Sequence, residues 1–170
     1  ENVVDNPIIR PSMNAVAKTY EMAHIPEFED VMTAVSHISG EKINRFTHIH
    51  QNKDDLVKKT KMGRLLGAYT GCCFQRCVGM DALNSLHSTT FEIDEKHKTD
   101  YHKRFLEFVK MVQKENLVIG GAMTDPKGDR SKGPAEQDDP DLFTRIVDRD
   151  EKGIYVSGAK AHQTGCINSH

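Results

Sequence analysis

The sequence predicts an α+β protein, in which an amino-terminal helical domain is followed by the start of a β domain. Three observations predict this order. Apolar residues first recur every three or four positions, as in amphipathic helices. A long polar stretch then separates this region from the rest. Finally, residues 143–149 and 154–160 alternate around a Gly-containing turn, as in a β-hairpin. We therefore predict a helical domain over residues 1–116 and the start of a β domain over residues 117–170.

Composition excludes several classes of protein. The 170 residues carry a net charge of −2, which gives no electrostatic basis for binding nucleic acid or an anionic membrane. The longest apolar runs are far too short to span a bilayer. Three of the four cysteines lie within residues 72–77, which favours metal binding or a reduced core over a disulfide framework. We therefore expect a cytoplasmic protein.

The first predicted helix covers residues 12–24, with Ser12 as its N-cap. Pro26 interrupts it. Residues 31–50 mix β-branched residues with a Ser-Gly pair and predict a loop or an irregular hairpin. The apolar face of this first helix comprises Met13, Val16, Ala17 and Tyr20.

Three further helices are predicted after residue 50. Asn52 is a good N-cap for a helix that ends near Thr70, residues 72–95 carry a buried helical pattern, and Thr99 caps the last helix. The expected apolar faces are Leu56, Met62, Leu65, Leu66 and Tyr69 for the first of these, and Tyr101, Phe105, Phe108, Val109 and Val112 for the last.

Cys73 and Cys77 form the first candidate site. They are four residues apart in a predicted helix, so both sulfurs should face the same side, whereas Cys72 points elsewhere. Two thiolates on one face can share a metal or cluster. The alternative is that both are buried and act as small hydrophobic side chains.

Two polar segments form further candidate sites. Residues 124–131 combine a turn, hydroxyl groups, a glycine and two cations, which suits a nucleotide pyrophosphate; the alternative is a solvated charged loop. Residues 162–165 place hydrogen-bonding groups beside a glycine, which suits the edge of a heterocycle. The alternative there is a structural histidine at a strand end.

Several segments together resemble the dehydratase branch of the 4-hydroxyphenylacetate 3-monooxygenase family, and the resemblance covers essentially the whole chain. The cysteine segment is its most specific part, because the monooxygenases of the family lack the cluster cysteines. The segments are Asn6-Pro-Ile-Ile-Arg-Pro-Ser12, Ile43-Asn-Arg-Phe46, Cys73-Phe-Gln-Arg-Cys-Val-Gly-Met-Asp81, Gly121-Ala-Met-Thr-Asp-Pro-Lys-Gly-Asp-Arg130 and Gly158-Ala-Lys-Ala-His-Gln-Thr-Gly165.

The resemblance implies an acyl-CoA dehydrogenase-like fold: a helical domain, a central β domain and a carboxy-terminal helical bundle. The bundle has no counterpart in this sequence, so we expect the chain to be an amino-terminal fragment. The family also implies a homotetramer.

Two cofactors follow from the resemblance. Cys73 and Cys77 would be two ligands of a 4Fe-4S cluster, and the remaining ligands lie outside this sequence. Thr164 and Gln75 are assigned to catalysis, Thr164 beside the flavin ring and Gln75 beside the cluster. The residues assigned to FAD are Thr124, Asp125, Pro126, Lys127, Gly128, Asp129, Arg130, Ser131, His162, Gln163, Thr164 and Gly165.

The implied activity is the dehydration of 4-hydroxybutyryl-CoA to crotonyl-CoA by a radical mechanism, together with isomerisation of vinylacetyl-CoA. The resemblance thus predicts a lyase and isomerase acting on a CoA thioester. One alternative is a flavin-dependent aromatic hydroxylase of the same family. Another is a cofactor-free subunit that only supports assembly.

Overall fold

The computed structural model describes residues 3–163 and 165–170 of the chain. Contacts divide the chain into a helical unit, Glu1–Gly120 with Ile167–His170, and a hairpin unit, Gly121–Cys166. The prediction of an α+β protein is confirmed, whereas the domain boundary after residue 116 stays a prediction. The described α-helices and strands are α1 (Arg10–Glu21), α2 (Glu29–Met32), α3 (Lys53–Thr70), α4 (Cys77–His97), α5 (Tyr101–Lys114), β1 (Thr33–Val35), β2 (Lys42–Asn44), β3 (Arg145–Asp150) and β4 (Gly153–Ser157).

Helix α1 begins two residues earlier than predicted. The carbonyl of Asn6 accepts from the N–H of Arg10 at 2.9 Å, and its side chain accepts from the N–H of Ile8 at 2.9 Å. Pro11 lies in the first turn, where the missing N–H costs no helical hydrogen bond. Ser12 therefore lies inside the helix, and its predicted role as N-cap is wrong.

Strands β1 and β2 form a short antiparallel hairpin, which confirms the irregular hairpin predicted within residues 31–50. The side chain of Asn52 accepts from the N–H of Asp55 at 3.1 Å, and α3 then runs to Thr70 as predicted. The apolar face of α3 is narrower than predicted, because Leu56 and Tyr69 are more than half exposed.

The core of the helical unit consists of two clusters of buried apolar side chains, and α4 contributes to both. Met80 belongs to the first cluster and Leu83 to the second. Tyr101 and Phe108 on α5 are exposed, contrary to prediction. The first cluster comprises Met22, Met32, Phe46, Met62, Leu66, Phe74 and Met80, and the second Ile49, Leu83, Phe105, Val109 and Val112.

The N-terminus of α5 is capped from the preceding helix. The carboxylate of Asp94 accepts from the N–H groups of Tyr101 at 3.0 Å and His102 at 2.8 Å. Thr99, the predicted cap, instead donates its hydroxyl to Asp94 at 2.6 Å. The cap therefore comes from a longer side chain on α4, and the hydroxyl of Thr99 orients it.

The hairpin unit contains the β-hairpin that the alternating pattern predicts. Strands β3 and β4 pair antiparallel, with an irregularity between Ile146 and Asp148. The carboxylate of Asp150 accepts from the N–H groups of Lys152 at 2.7 Å and Gly153 at 3.0 Å, which closes the turn. Among the helices in the described part of the chain, none has both the length and the apolar character needed to cross a membrane.

Candidate cofactor-binding site

Cys73 and Cys77 do not share a helical face. Helix α4 begins at Cys77, and Cys73 lies in the irregular segment between α3 and α4. Gly71 ends α3 in the left-handed conformation, with φ of 62°, and Gln75 also has a positive φ of 61°. These two positions keep the chain out of a helix until Cys77. The prediction of one helix over residues 72–95 is therefore wrong at its start.

The two thiols are nevertheless close enough to influence each other. Both cysteines are exposed and neither forms a disulfide, which argues against a role as buried hydrophobic side chains. Protein atoms around the sulfur, and then the charges of Cys73 and Asp81, raise the pKa of the Cys77 thiol. A cation held between the sulfurs would relieve this repulsion and favour both thiolates. The pair can thus supply two soft ligands to a metal.

The cysteine pair does not complete a metal site by itself. Within residues 3–163 and 165–170, no group of three or more His, Cys, Asp or Glu side chains is arranged to hold a metal ion. Thiolates suit iron–sulfur clusters, and a 4Fe-4S cluster takes four protein ligands. The donors here fit half of such a site, so the other ligands must come from elsewhere.

Gln75 contacts the cysteine segment through its backbone and the rest of the helical unit through its side chain. Its N–H donates to Cys73 Sγ at 3.4 Å. Its side-chain amide donates to Ser12 Oγ and accepts from Asn168 Nδ2, the latter at 2.8 Å. The residue therefore fixes the local backbone around Cys73, and its assignment to catalysis stays a prediction.

Arg76 was not singled out from the sequence, yet it is only 2% exposed. Its guanidinium donates to Thr19 Oγ1 at 2.9 Å and to the Leu117 carbonyl at 3.3 Å. It also lies over the rings of Tyr20 and Phe46, at 4.6 and 4.8 Å from their centroids. Burial lowers the pKa of the guanidinium to about 10. The available signal was a charged residue between two cysteines.

In the hairpin unit, the 124–131 segment is a loop held by Gln137. The side chain of Gln137 accepts from the N–H of Asp129 at 2.9 Å and donates to the Asp129 carbonyl at 3.0 Å. A Cβ on Gly128 would lie 2.6 Å from Gln137 Oε1, so the backbone of the loop passes close to this side chain. Ser131 donates its hydroxyl and N–H to the Asp129 carboxylate, which lowers the pKa of Asp129.

This loop borders a cavity of about 270 Å³ that exposes two cations. Lys127 and Arg130 line it, and in the part of the chain that the structure describes neither has a hydrogen-bond or ion-pair partner. Lys132, which also lines the cavity, differs from these two cations because it forms an ion pair with Asp138 at 2.5 Å. Two unpaired cations beside a cavity can donate charge-assisted hydrogen bonds to a phosphate. The cavity is lined by Asp125, Pro126, Lys127, Gly128, Asp129, Arg130, Lys132, Pro134, Gln137 and Phe143.

The structure brings the two predicted flavin segments together. The side chain of Gln163 accepts from the N–H of Met123 at 3.0 Å and donates to the Thr124 carbonyl at 3.1 Å. Lys160 pairs with Asp125 at 2.6 Å. The start of segment 124–131 and Gln163 of the second segment are therefore neighbours, although Thr124 and Gln163 are 39 residues apart in the chain.

The structure describes the backbone of His162 and Gly165 in the second segment. His162 is exposed and has a positive φ of 55°, and Gly165 has a φ of 81°. Thr164, which we assigned to a position beside the flavin ring, lies outside the described residues.

The whole chain, residues 1–170, matches a family model described as 4-hydroxyphenylacetate 3-hydroxylase N terminal. Over 170 residues, the chain is 61% identical to the 4-hydroxybutyryl-CoA dehydratase/vinylacetyl-CoA-Δ-isomerase of Clostridium aminobutyricum. This alignment covers 100% of the chain and 35% of that enzyme.

Two solved structures give the same picture of the fold. A structure described as an oxygen-tolerant archaeal 4-hydroxybutyryl-CoA dehydratase from N. maritimus is 76% identical, with a TM-score of 0.94 over 99% of this chain and 33% of its own. The oxygenase component of 4-hydroxyphenylacetate 3-monooxygenase, solved in complex with FAD, is 22% identical, with a TM-score of 0.70 over 94% of this chain. The chain spans about a third of the length of these relatives.

Proposed function

The chain belongs to the 4-hydroxyphenylacetate 3-hydroxylase N-terminal family, and from this premise we propose that it is part of an enzyme that dehydrates 4-hydroxybutyryl-CoA to crotonyl-CoA and isomerises vinylacetyl-CoA. The observation that carries the proposal is a contrast in sequence identity. The chain is 61% identical to a dehydratase/isomerase over its whole length, but 22% identical to the monooxygenase whose fold it shares. The exposed pair Cys73 and Cys77 supports the same choice.

The hairpin unit would hold FAD. Lys127 and Arg130 are unpaired cations beside a cavity, and charge-assisted hydrogen bonds to phosphate are among the strong ones. Gln163 keeps the second segment against Thr124, so that residues 162–165 can contact the same cofactor. Gly128 lets the backbone approach closely. Thr164 would lie beside the flavin ring as a hydrogen-bond donor.

The helical unit would hold half of a 4Fe-4S cluster. Cys73 and Cys77 would supply two thiolates. The Gln75 N–H donates to Cys73 Sγ, and hydrogen bonds of this kind to a ligand sulfur influence the reduction potential of a cluster. When bound, the two cofactors would supply one-electron chemistry and a Lewis acid for the leaving hydroxyl. The chain's own part is to anchor, orient and hydrogen-bond these groups.

The proposal extends to the whole protein. It includes a CoA-thioester substrate, a homotetramer and a cytoplasmic location. It also includes an acyl-CoA dehydrogenase-like arrangement in which residues 1–116 form the helical domain and residues 117–170 begin the β domain. The fold shared with the FAD-bound oxygenase supports this arrangement.

The experiment is an activity comparison on the anaerobically purified full-length protein. We expect turnover of 4-hydroxybutyryl-CoA and of vinylacetyl-CoA, together with FAD, iron and acid-labile sulfide. The control assays hydroxylation of 4-hydroxyphenylacetate with reduced flavin and oxygen. Hydroxylation without dehydration, in a protein that lacks iron, would establish the aromatic hydroxylase instead.

A further inference from the structure

The side chain of Arg76 points into the helical unit, whereas the two cysteines that flank its position face solvent. Arg76 is 2% exposed, and Cys73 and Cys77 are both exposed. The backbone between the cysteines is thus attached to the core through the Arg76 side chain, in addition to the buried ring of Phe74 and the side-chain hydrogen bonds of Gln75. The contacts of Arg76 therefore restrain the backbone between the two cysteines.

The contacts of Arg76 suit a guanidinium better than any other group. Two of its nitrogens donate to different partners, Thr19 Oγ1 and the Leu117 carbonyl. Its planar face lies over two aromatic rings, those of Tyr20 and Phe46. A lysine ammonium cannot reproduce this planar, forked arrangement. No carboxylate in the described part of the chain pairs with it, so a salt bridge does not explain its burial.

A second close contact holds the start of α4 against the same stretch of chain. A Cβ on Gly79 would lie only 2.1 Å from the Ile119 carbonyl oxygen, so the first turn of α4 packs directly on that backbone. Leu117, two residues earlier, accepts from Arg76. Arg76 before Cys77 and Gly79 after it therefore both contact the stretch from Leu117 to Ile119, which fixes the N-terminal end of α4.

We propose that Arg76 is a positioning residue that holds Cys73 and Cys77 at the separation needed to bind one cofactor. It does so by attaching the backbone between them to Thr19 and Leu117. The identity of the cofactor as an iron–sulfur cluster rests on the proposed function, whereas the spacing of the thiols does not.

The first experiment measures the spacing without iron. Phenylarsine oxide joins two nearby thiols to one arsenic atom: two As–S bonds form, the As=O bond breaks, and the oxygen leaves as water with both thiol protons. The test uses the iron-free full-length protein with Cys72→Ser and Cys166→Ser. Digestion with an enzyme that cuts after acidic residues keeps Cys73 and Cys77 in one peptide for mass spectrometry.

We expect Arg76→Met to release the arsenical to a competing monothiol at least about tenfold faster than the parent, and Arg76→Lys to lie between them. The control is Val112→Ala, which removes core volume on α5 and is compared at a matched loss of thermal stability. Equal retention in Arg76→Met and the parent overturns the proposal. Equal loss in Val112→Ala also overturns it, because general destabilisation would then suffice.

The second experiment measures iron release to a chelator. It uses the same substitutions of Arg76 and Val112 in the full-length protein that retains Cys72 and Cys166. We expect roughly 10- to 100-fold faster release from Arg76→Met than from the parent. Unchanged iron release beside weaker arsenical retention overturns the role of Arg76 in cofactor binding. A parent without iron or sulfide overturns the proposed function, while faster arsenical release from Arg76→Met would still support the positioning of the thiols.

Discussion

The backbone N–H of Ala161 donates to the carbonyl oxygen of Thr124 over 2.8 Å. This hydrogen bond joins the segment after the β-hairpin to the start of the 124–131 loop. The side chain of Gln163 adds two hydrogen bonds to the same place, with the N–H of Met123 and the carbonyl of Thr124. Because hydrogen bonds join the two segments, a substitution in one segment should alter the conformation of the other. The following predictions test this loop pair, the cysteine segment and the core that supports them.

The first prediction concerns the cysteines. In the full-length protein, Cys73→Ala and Cys77→Ala should each lower dehydratase turnover by more than about 100-fold, because the cluster loses an anchoring thiolate. Cys72→Ala is the matched control, since Cys72 is also exposed and adjacent in sequence but is not assigned as a ligand. Iron, sulfide and turnover are measured together. Equal losses from all three variants, with iron content intact, would contradict the assignment.

The second prediction concerns the 124–131 loop. Arg130→Ala should weaken FAD binding roughly 10- to 100-fold, the size expected for losing one charge-assisted hydrogen bond to phosphate. Arg149→Ala, which removes an exposed arginine from β3 in the same unit, should leave FAD binding unchanged. Equilibrium dialysis or fluorescence titration of the deflavinated protein measures both. If Arg130→Ala binds FAD as tightly as the parent, the loop does not contact the phosphates.

The third prediction concerns Gly79. Gly79→Ala should destabilise the protein by about 1 to 3 kcal/mol, because the new methyl group overlaps the Ile119 carbonyl and neither backbone can move freely. Gly67→Ala in α3 is the control: a Cβ there meets nothing within 4 Å, so it should stabilise by about 0.5 to 1 kcal/mol. Thermal melts of both variants compare them. A stabilising Gly79→Ala would show that the close approach is absent in solution.

The fourth prediction concerns pH. Burial of Asp55 opposes its ionisation, but the Gln51 N–H and the His48 ring outweigh burial and lower the pKa of Asp55 below its ordinary value of 3.8. A lowered pKa in the folded state contributes stability above about pH 4, and this contribution is lost as the pH falls further.

Asp55→Asn should therefore reduce the melting temperature at pH 7, and its difference from the parent should shrink as the pH approaches 3. The control is Asp54→Asn, which changes a neighbouring carboxylate that is 69% exposed. Melting temperatures of the three proteins are measured at each pH. A difference between Asp55→Asn and the parent that is independent of pH would mean that the charge of Asp55 contributes nothing.

The sequence alone determined the features that depend on neighbours within a few residues. Asn52 caps α3 through a residue three positions away, and the turn of the β3–β4 hairpin is closed by Asp150 within the turn itself. Alternating and helical patterns placed the hairpin and three of the five residues predicted on the buried face of α5, Phe105, Val109 and Val112, for the same reason. Local hydrogen bonds and side-chain periodicity act before any tertiary contact and can therefore be predicted.

The tertiary structure decided what depends on residues far apart in the chain. Even over eight residues, the packing of α4 against α5 decides that Asp94, rather than Thr99, caps α5. The burial of Arg76 requires Thr19 and Leu117, which are 57 and 41 residues away. The pairing of the two loops likewise depends on contacts that the chain makes only after folding. Residue types in the sequence therefore marked the cysteines and the loops as candidate sites, and packing decided how their side chains are oriented.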